Sequence, residues 1–154
     1  MRPNYRLIAG TLAVLCLSAL PAAAQYGAFD DWRSHSGDNG ATKYAPIAQI
    51  TADNFSDLEL AWRFSTDNLG PSPERNYQST PLMVNGILYV TAGSRRAAVA
   101  LDPATGELLW MHRVDEGERG STAPRRLSGR GLTYWNDGND GVILYVTPGY
   151  QLVA

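Results

Sequence analysis

The chain has 154 residues, room for one ordinary domain, and its 44% apolar and 18% charged content is a globular balance that excludes a disordered polypeptide. The net charge of −2, with no basic block, gives no argument for a nucleic-acid surface. Frequent glycine and proline, four Trp and eight Tyr lean towards strands and turns.

Residues 1–24 are expected to be a secretory signal peptide and not part of the fold. Arg2 and Arg6 form a positive start, residues 7–20 an apolar run, and Ala22-Ala23-Ala24 a small-residue cleavage site before Gln25. The apolar run falls short of the ~20 residues of a membrane span. Cys16, the one cysteine, leaves with the signal, so the mature chain would have no thiol and no disulfide. Export without disulfides fits a bacterial periplasm as well as any other oxidising compartment.

Residues 25–57 read as an irregular lead-in, punctuated by Gly37, Asp38, Asn39, Gly40 and Pro46. Within it a short helical turn is expected in residues 49–60, capped by Asp53 or Ser56, with Ile50, Phe55 and Leu58 facing inward. Residues 58–154 read as strands. The first covers residues 59–64. Residues 82–84 and 87–91 flank Asn85-Gly86, a hairpin signal because both turn positions need positive φ. Residues 97–101 are next, then a turn over residues 102–106 and a strand over residues 107–113. A charged loop follows in residues 113–126. Strands at 132–135 and 142–147 enclose a turn, and the chain ends in Gln151-Leu152-Val153-Ala154.

An internal repeat organises these elements. Ile87-Leu88-Tyr89-Val90-Thr91 recurs as Ile143-Leu144-Tyr145-Val146-Thr147, an offset of 56 residues, and Ala98-Val99-Ala100 is echoed by Leu152-Val153-Ala154. The Trp62 and Trp110 strand ends repeat at an offset of 48. Periods of this size, in strands punctuated by Trp, indicate propeller blades, each a sheet that needs neighbours to bury its faces. Ala154 aligns with Ala100, so the chain is expected to stop in mid-blade, as a truncated frame or fragment would. The fold class is therefore all-β, a partial β-propeller.

The strongest motif is Ala100-x-Asp102-x-x-Thr105-Gly106-x-x-x-Trp110. Asp102 and Thr105 can bond the turn's backbone, Gly106 suits its left-handed position, and Trp110 is a flat plate that can dock on an adjacent blade. With that plate buried, Trp110→Ala would cost about 3–5 kcal/mol. The motif resembles the tryptophan-docking motif of the pyrroloquinoline-quinone (PQQ)-dependent dehydrogenases, eight-bladed quinoprotein propellers. Trp32, Gly37-Asp38, Lys43-Tyr44-Ala45-Pro46-Ile47-x-Gln49-Ile50 and Asn54 resemble that family's lead-in. Asp57-Leu58-x-x-Ala61-Trp62 and Thr80-Pro81-Leu82-Met83-Val84-x-Gly86-x-Leu88-Tyr89 resemble its first blade, and Gly129-Arg130-Gly131-x-x-Tyr134-Trp135 resembles the stretch that contacts its cofactor.

The resemblance implies two cofactor-binding residues. Arg130 stands where the family's arginine holds the quinone, a role that suits a guanidinium forking onto an acid group. Gln78 stands where a Glu is commoner; its amide can still hydrogen-bond but carries no charge. Pro124 and Arg125 occupy the place where methanol-oxidising members carry adjacent cysteines, which sets this chain nearer the glucose, polyol and general-alcohol branch. The family's calcium ligands, catalytic Asp and stacking Trp would lie beyond residue 154, so no catalytic or metal residue is expected in this chain. His35 and His112 show no ligand spacing.

The implied function is that of the start of a periplasmic dehydrogenase, free or at the membrane, that uses PQQ and calcium. Its substrate would be an alcohol, polyol or aldose, and its electron acceptor a cytochrome or a quinone. Two other readings belong to different classes: a non-catalytic propeller scaffold, and an inactive truncated remnant. The lead-in and the Arg130 setting favour an enzyme, because a scaffold needs neither.

Overall fold

The computed structural model describes residues 31–154, so the signal peptide expected over residues 1–24 lies outside the described residues. The strands form two antiparallel sheets. The first takes β1 (Leu82–Val84), β2 (Ile87–Ala92), β3 (Ala97–Leu101) and β4 (Leu108–His112) in simple meander order. The second takes β5 (Thr133–Asn136), β6 (Gly141–Val146) and β7 (Leu152–Val153) in the same order. A short helix α1 (Gly117–Ser121) interrupts the charged connection between them, which the sequence presents as loop throughout.

Turn chemistry sets the register of each sheet. Asn85 and Gly86 both take positive φ, 51° and 76°, and pair Val84 with Ile87 across a two-residue hairpin. The Asn85 N–H donates to Asp31 Oδ1 at 2.7 Å, and Trp32 pairs with Met83, so the lead-in adds one bridge to the outer side of β1. In the second sheet Asp137 Oδ1 accepts the N–H groups of Asn139 and Asp140 at 2.9 and 3.0 Å, which closes a longer turn between β5 and β6.

β3 is buried along its whole length, and its alternation separates two cores. Ala97, Val99 and Leu101 face a cluster with Leu69, Val90 and Ala92, packed by Trp62, Phe64 and Leu88. Ala98 faces the other way, onto Leu82, Val84, Leu132 and Tyr145, with Tyr134, Ile143 and Val153 alongside. Small alanines on that side let the second sheet approach closely, as stacked blades require.

Three expectations need correction. Residues 59–64 form no strand. Trp62 and Phe64 do point inward and Arg63 outward, but the segment crosses the face of the first sheet, where no ladder partner meets its backbone. The helical turn is a single 3-10 turn at Phe55–Asp57, preceded by Asn54 and not capped by Asp53 or Ser56. Asn54 instead bonds backward, accepting from Thr51 N and donating to Gln49 O, while Ile50, Phe55 and Leu58 are all more than half exposed. Finally, Trp110 is 39% exposed and not buried. It touches Tyr89, with ring centroids 5.9 Å apart, but β4 is the sheet's edge and every residue of it is exposed.

Candidate functional site

Gln78 and Arg130 lie 52 residues apart in sequence, and the fold lines one cavity of about 800 Å³ with both. A parallel bridge between Thr80 and Gly131 brings their segments side by side. Gly131 takes φ 103°, and a Cβ there would stand 2.9 Å from the Thr80 carbonyl oxygen, so this approach requires glycine. Both side chains are exposed, and neither has a hydrogen-bond or ionic partner among the described residues.

The cavity wall is basic. Arg96, Arg125 and Arg126 line it beside Arg130, with Asn76 and His35 near Gln78, and no Asp or Glu is among the lining residues. His35 Nδ1 lies 2.9 Å from the Thr80 hydroxyl, so the lead-in contributes a wall of the cavity. Four guanidinium groups and two amides around one concavity suit a ligand bearing several carboxylates.

Sequence reasoning missed the two residues that shape this wall. Arg96, in the β2–β3 turn at φ 53°, donates to three backbone carbonyls: Nε to Leu127 at 3.0 Å, Nη1 to Val146 at 2.8 Å and Nη2 to Arg125 at 2.7 Å. Burial pulls its pKa below that of a free guanidinium, while Glu116, Tyr150 and Glu74 pull it back up. Glu74 accepts the N–H of Gly93 at 3.1 Å and of Ser128 at 2.7 Å. In the second sheet Glu116 does the same for Gly149, at 2.7 Å, and takes the Thr147 hydroxyl at 2.6 Å. Gly93 and Gly149 keep the 56-residue offset of the repeat, but Glu74 and Glu116 are 42 apart. A search at the repeat's own period therefore passes over the carboxylates.

The tryptophan motif is visible in space, one unit displaced. The Trp62 indole Nε1–H donates to Pro103 O at 2.9 Å, and its ring lies so close to Gly106 that a Cβ there would meet it at 2.6 Å. Among the described residues no group of three or more His, Cys, Asp or Glu side chains gathers as a metal ligand set.

Residues 32–154 match the family described as PQQ glucose/ethanol/alcohol dehydrogenase, β-propeller domain. The 1-butanol dehydrogenase (cytochrome c) of Thauera butanivorans is 34% identical over 122 residues, 78% of this chain and 17% of that protein. The dehydrogenase subunit of the Gluconobacter oxydans alcohol dehydrogenase (quinone) is 34% identical over 140 residues, 89% of this chain and 17% of that one. The crystal structure of quinohemoprotein alcohol dehydrogenase from Comamonas testosteroni superposes with a TM-score of 0.61 at 26% identity, covering 77% of this chain and 16% of that one. The chain thus spans about a sixth of the length of the proteins it matches.

Proposed function

The chain belongs to the PQQ-dependent glucose/ethanol/alcohol dehydrogenase β-propeller family, and from that premise we propose that it supplies the basic wall of the quinone site in a periplasmic dehydrogenase. The enzyme would oxidise an alcohol, polyol or aldose and pass electrons to a cytochrome or a membrane quinone. The carrying observation is the cavity shared by Arg130 and Gln78, basic and without a carboxylate. Its donor set fits the cofactor's chemistry. PQQ is a planar tricarboxylate, and when bound it accepts the two electrons that the substrate loses.

Arg130, with no protein partner among the described residues, can fork onto a carboxylate, and Gln78 can donate its amide to a carboxylate or carbonyl oxygen. Arg125 and Arg126 add positive field around them. An amide at position 78 repels a polyanion less than the family's commoner Glu would. The calcium that such dehydrogenases use finds no ligand cluster among the described residues, so no step of this reading runs through the ion. Substrate choice and electron acceptor enter by way of the relatives' names, and export by way of the N-terminal pattern.

The test is a titration of PQQ into the protein expressed from its own gene, monitored by quenching of Trp and Tyr fluorescence. Arg130→Ala is expected to weaken binding at least tenfold, about 1.4 kcal/mol. Unchanged affinity would favour a propeller that serves as a scaffold.

A further inference from the structure

We infer that Arg96 and Glu74 form a clamp whose role is to position Arg130 for its ligand. The inference rests on the reading of Arg130 as a cofactor contact.

The clamp joins one turn to one loop. Arg96 and Gly93 belong to the turn between β2 and β3; Arg125, Leu127 and Ser128 belong to the loop that enters β5. Arg96 donates to Leu127 O and Arg125 O, and Glu74 takes an N–H from each side, Gly93 and Ser128. All of the loop's contacts are backbone groups, so the clamp dictates the loop's path whatever side chains it carries. The third Arg96 bond, to Val146 O at the end of β6, ties the same guanidinium to the second sheet.

That path matters because it leads directly into Arg130. Gly129, at φ 73°, lies against the Arg96 guanidinium; a Cβ there would meet Nε at 2.5 Å. Gly131 lies against Thr80. Arg130 therefore has its backbone held on both sides, by the clamp before it and by the Thr80 bridge after it. Its side chain lines the cavity with no protein partner among the described residues.

Arginine is required at position 96. Its planar fork presents five N–H donors in fixed directions, which suits three separate carbonyls. Among the described residues no carboxylate is hydrogen-bonded to it, so its hold on the loop is through directional bonds to backbone carbonyls. Lysine keeps the charge but places its donors around one nitrogen.

The experiment is a double-mutant cycle on PQQ affinity, with thermal unfolding in parallel. Arg96→Lys is expected to weaken PQQ binding about 10- to 100-fold, taking as the guide the loss seen when a residue that orients a metal ligand is removed. Gly129→Ala and Glu74→Gln should shift affinity in the same direction, and either carries the test if Arg96→Lys does not fold. Adding Arg130→Ala to Arg96→Lys should weaken binding by less than about threefold more, because the clamp acts through Arg130. Val84→Ala, a core change in β1, should lower the unfolding temperature yet leave PQQ affinity unchanged. If Arg130→Ala weakens binding while Arg96→Lys does not, or if the two effects add in full, the clamp is wrong and the cofactor reading stands. If Arg130→Ala has no effect, the cofactor reading falls and the clamp with it.

Discussion

A single carboxylate oxygen organises the turn between β3 and β4. Asp102 Oδ1 accepts the Thr105 N–H at 2.9 Å, the Thr105 hydroxyl at 3.1 Å and the Ala104 N–H at 2.8 Å. These bonds, the Thr105 backbone first, hold the carboxyl below the usual carboxylate range. Asp137 shows the same depression, led by the Asp140 N–H, and Asp38 shows it in the lead-in, led by the Thr42 hydroxyl. Linkage fixes the sign of the effect. The folded pKa is lower than the unfolded one, so the turn's stability is fully present above about pH 4 and is lost as pH falls through the folded value. Asp102→Asn should therefore melt below the wild type at neutral pH, and the gap should narrow as acidification passes below the ordinary carboxylate range. A gap in melting temperature that stays constant with pH would show that the charge is not what the turn uses.

Elements were legible where local chemistry alone defines them. The bounds of β3 match the sequence expectation, and β1 and β2 meet at the expected Asn85-Gly86 turn, because turn residues and apolar alternation act within a few positions. The segment of residues 59–64 departs from its strand pattern for the opposite reason: its alternation is real, but a strand also needs a partner, and partners are set by the whole fold. Gln78 and Arg130 are candidates that the resemblance alone supplies, and the fold brings both to one cavity. Arg96 and Glu74 were not legible, because their partners are backbone groups that no sequence pattern marks. The Trp62 contact on the Gly106 turn tests how far one element depends on another. Gly106→Ala should cost about 2–4 kcal/mol, combining overpacking against the indole with a left-handed φ. In a Trp62→Ala background the same change should cost only ~1 kcal/mol, since the clash is gone and the backbone term remains. Equal costs in both backgrounds, read from denaturant unfolding, would mean that the indole does not rest on that turn. Trp110, left at the sheet edge, should cost less to truncate here than a fully buried aromatic, under about 3 kcal/mol.

At the scale of the whole molecule, binding and chemistry separate. On the proposed reading the cavity holds an anionic ligand, which suits a wall that carries four guanidinium groups and the amides of Asn76 and Gln78. Oxidising an alcohol needs more, namely a group that takes the hydroxyl proton and an electrophile beside the reacting carbonyl. A carboxylate is the ordinary proton acceptor, yet no carboxylate lines this cavity, and Glu74, bonded to the Arg130 loop at Ser128, already holds two backbone N–H groups. His35 is engaged with the Thr80 hydroxyl, and no acidic cluster among the described residues could fix a divalent cation. The polypeptide of 154 residues, supplied with PQQ and calcium, should therefore bind the quinone through Arg130 and still turn over neither ethanol nor glucose. Groups that act together in catalysis do not contribute piecemeal; removing one already forfeits most of the rate. The measurement is reduction of an artificial electron acceptor by the purified polypeptide, against a control without protein, with PQQ binding monitored in the same samples. Turnover above the control would mean that a group such as His35, which lines the cavity, takes the hydroxyl proton, and would overturn the separation of binding from chemistry. Quinone binding that survives Arg130→Ala would leave the chemistry argument intact and remove the binding wall instead.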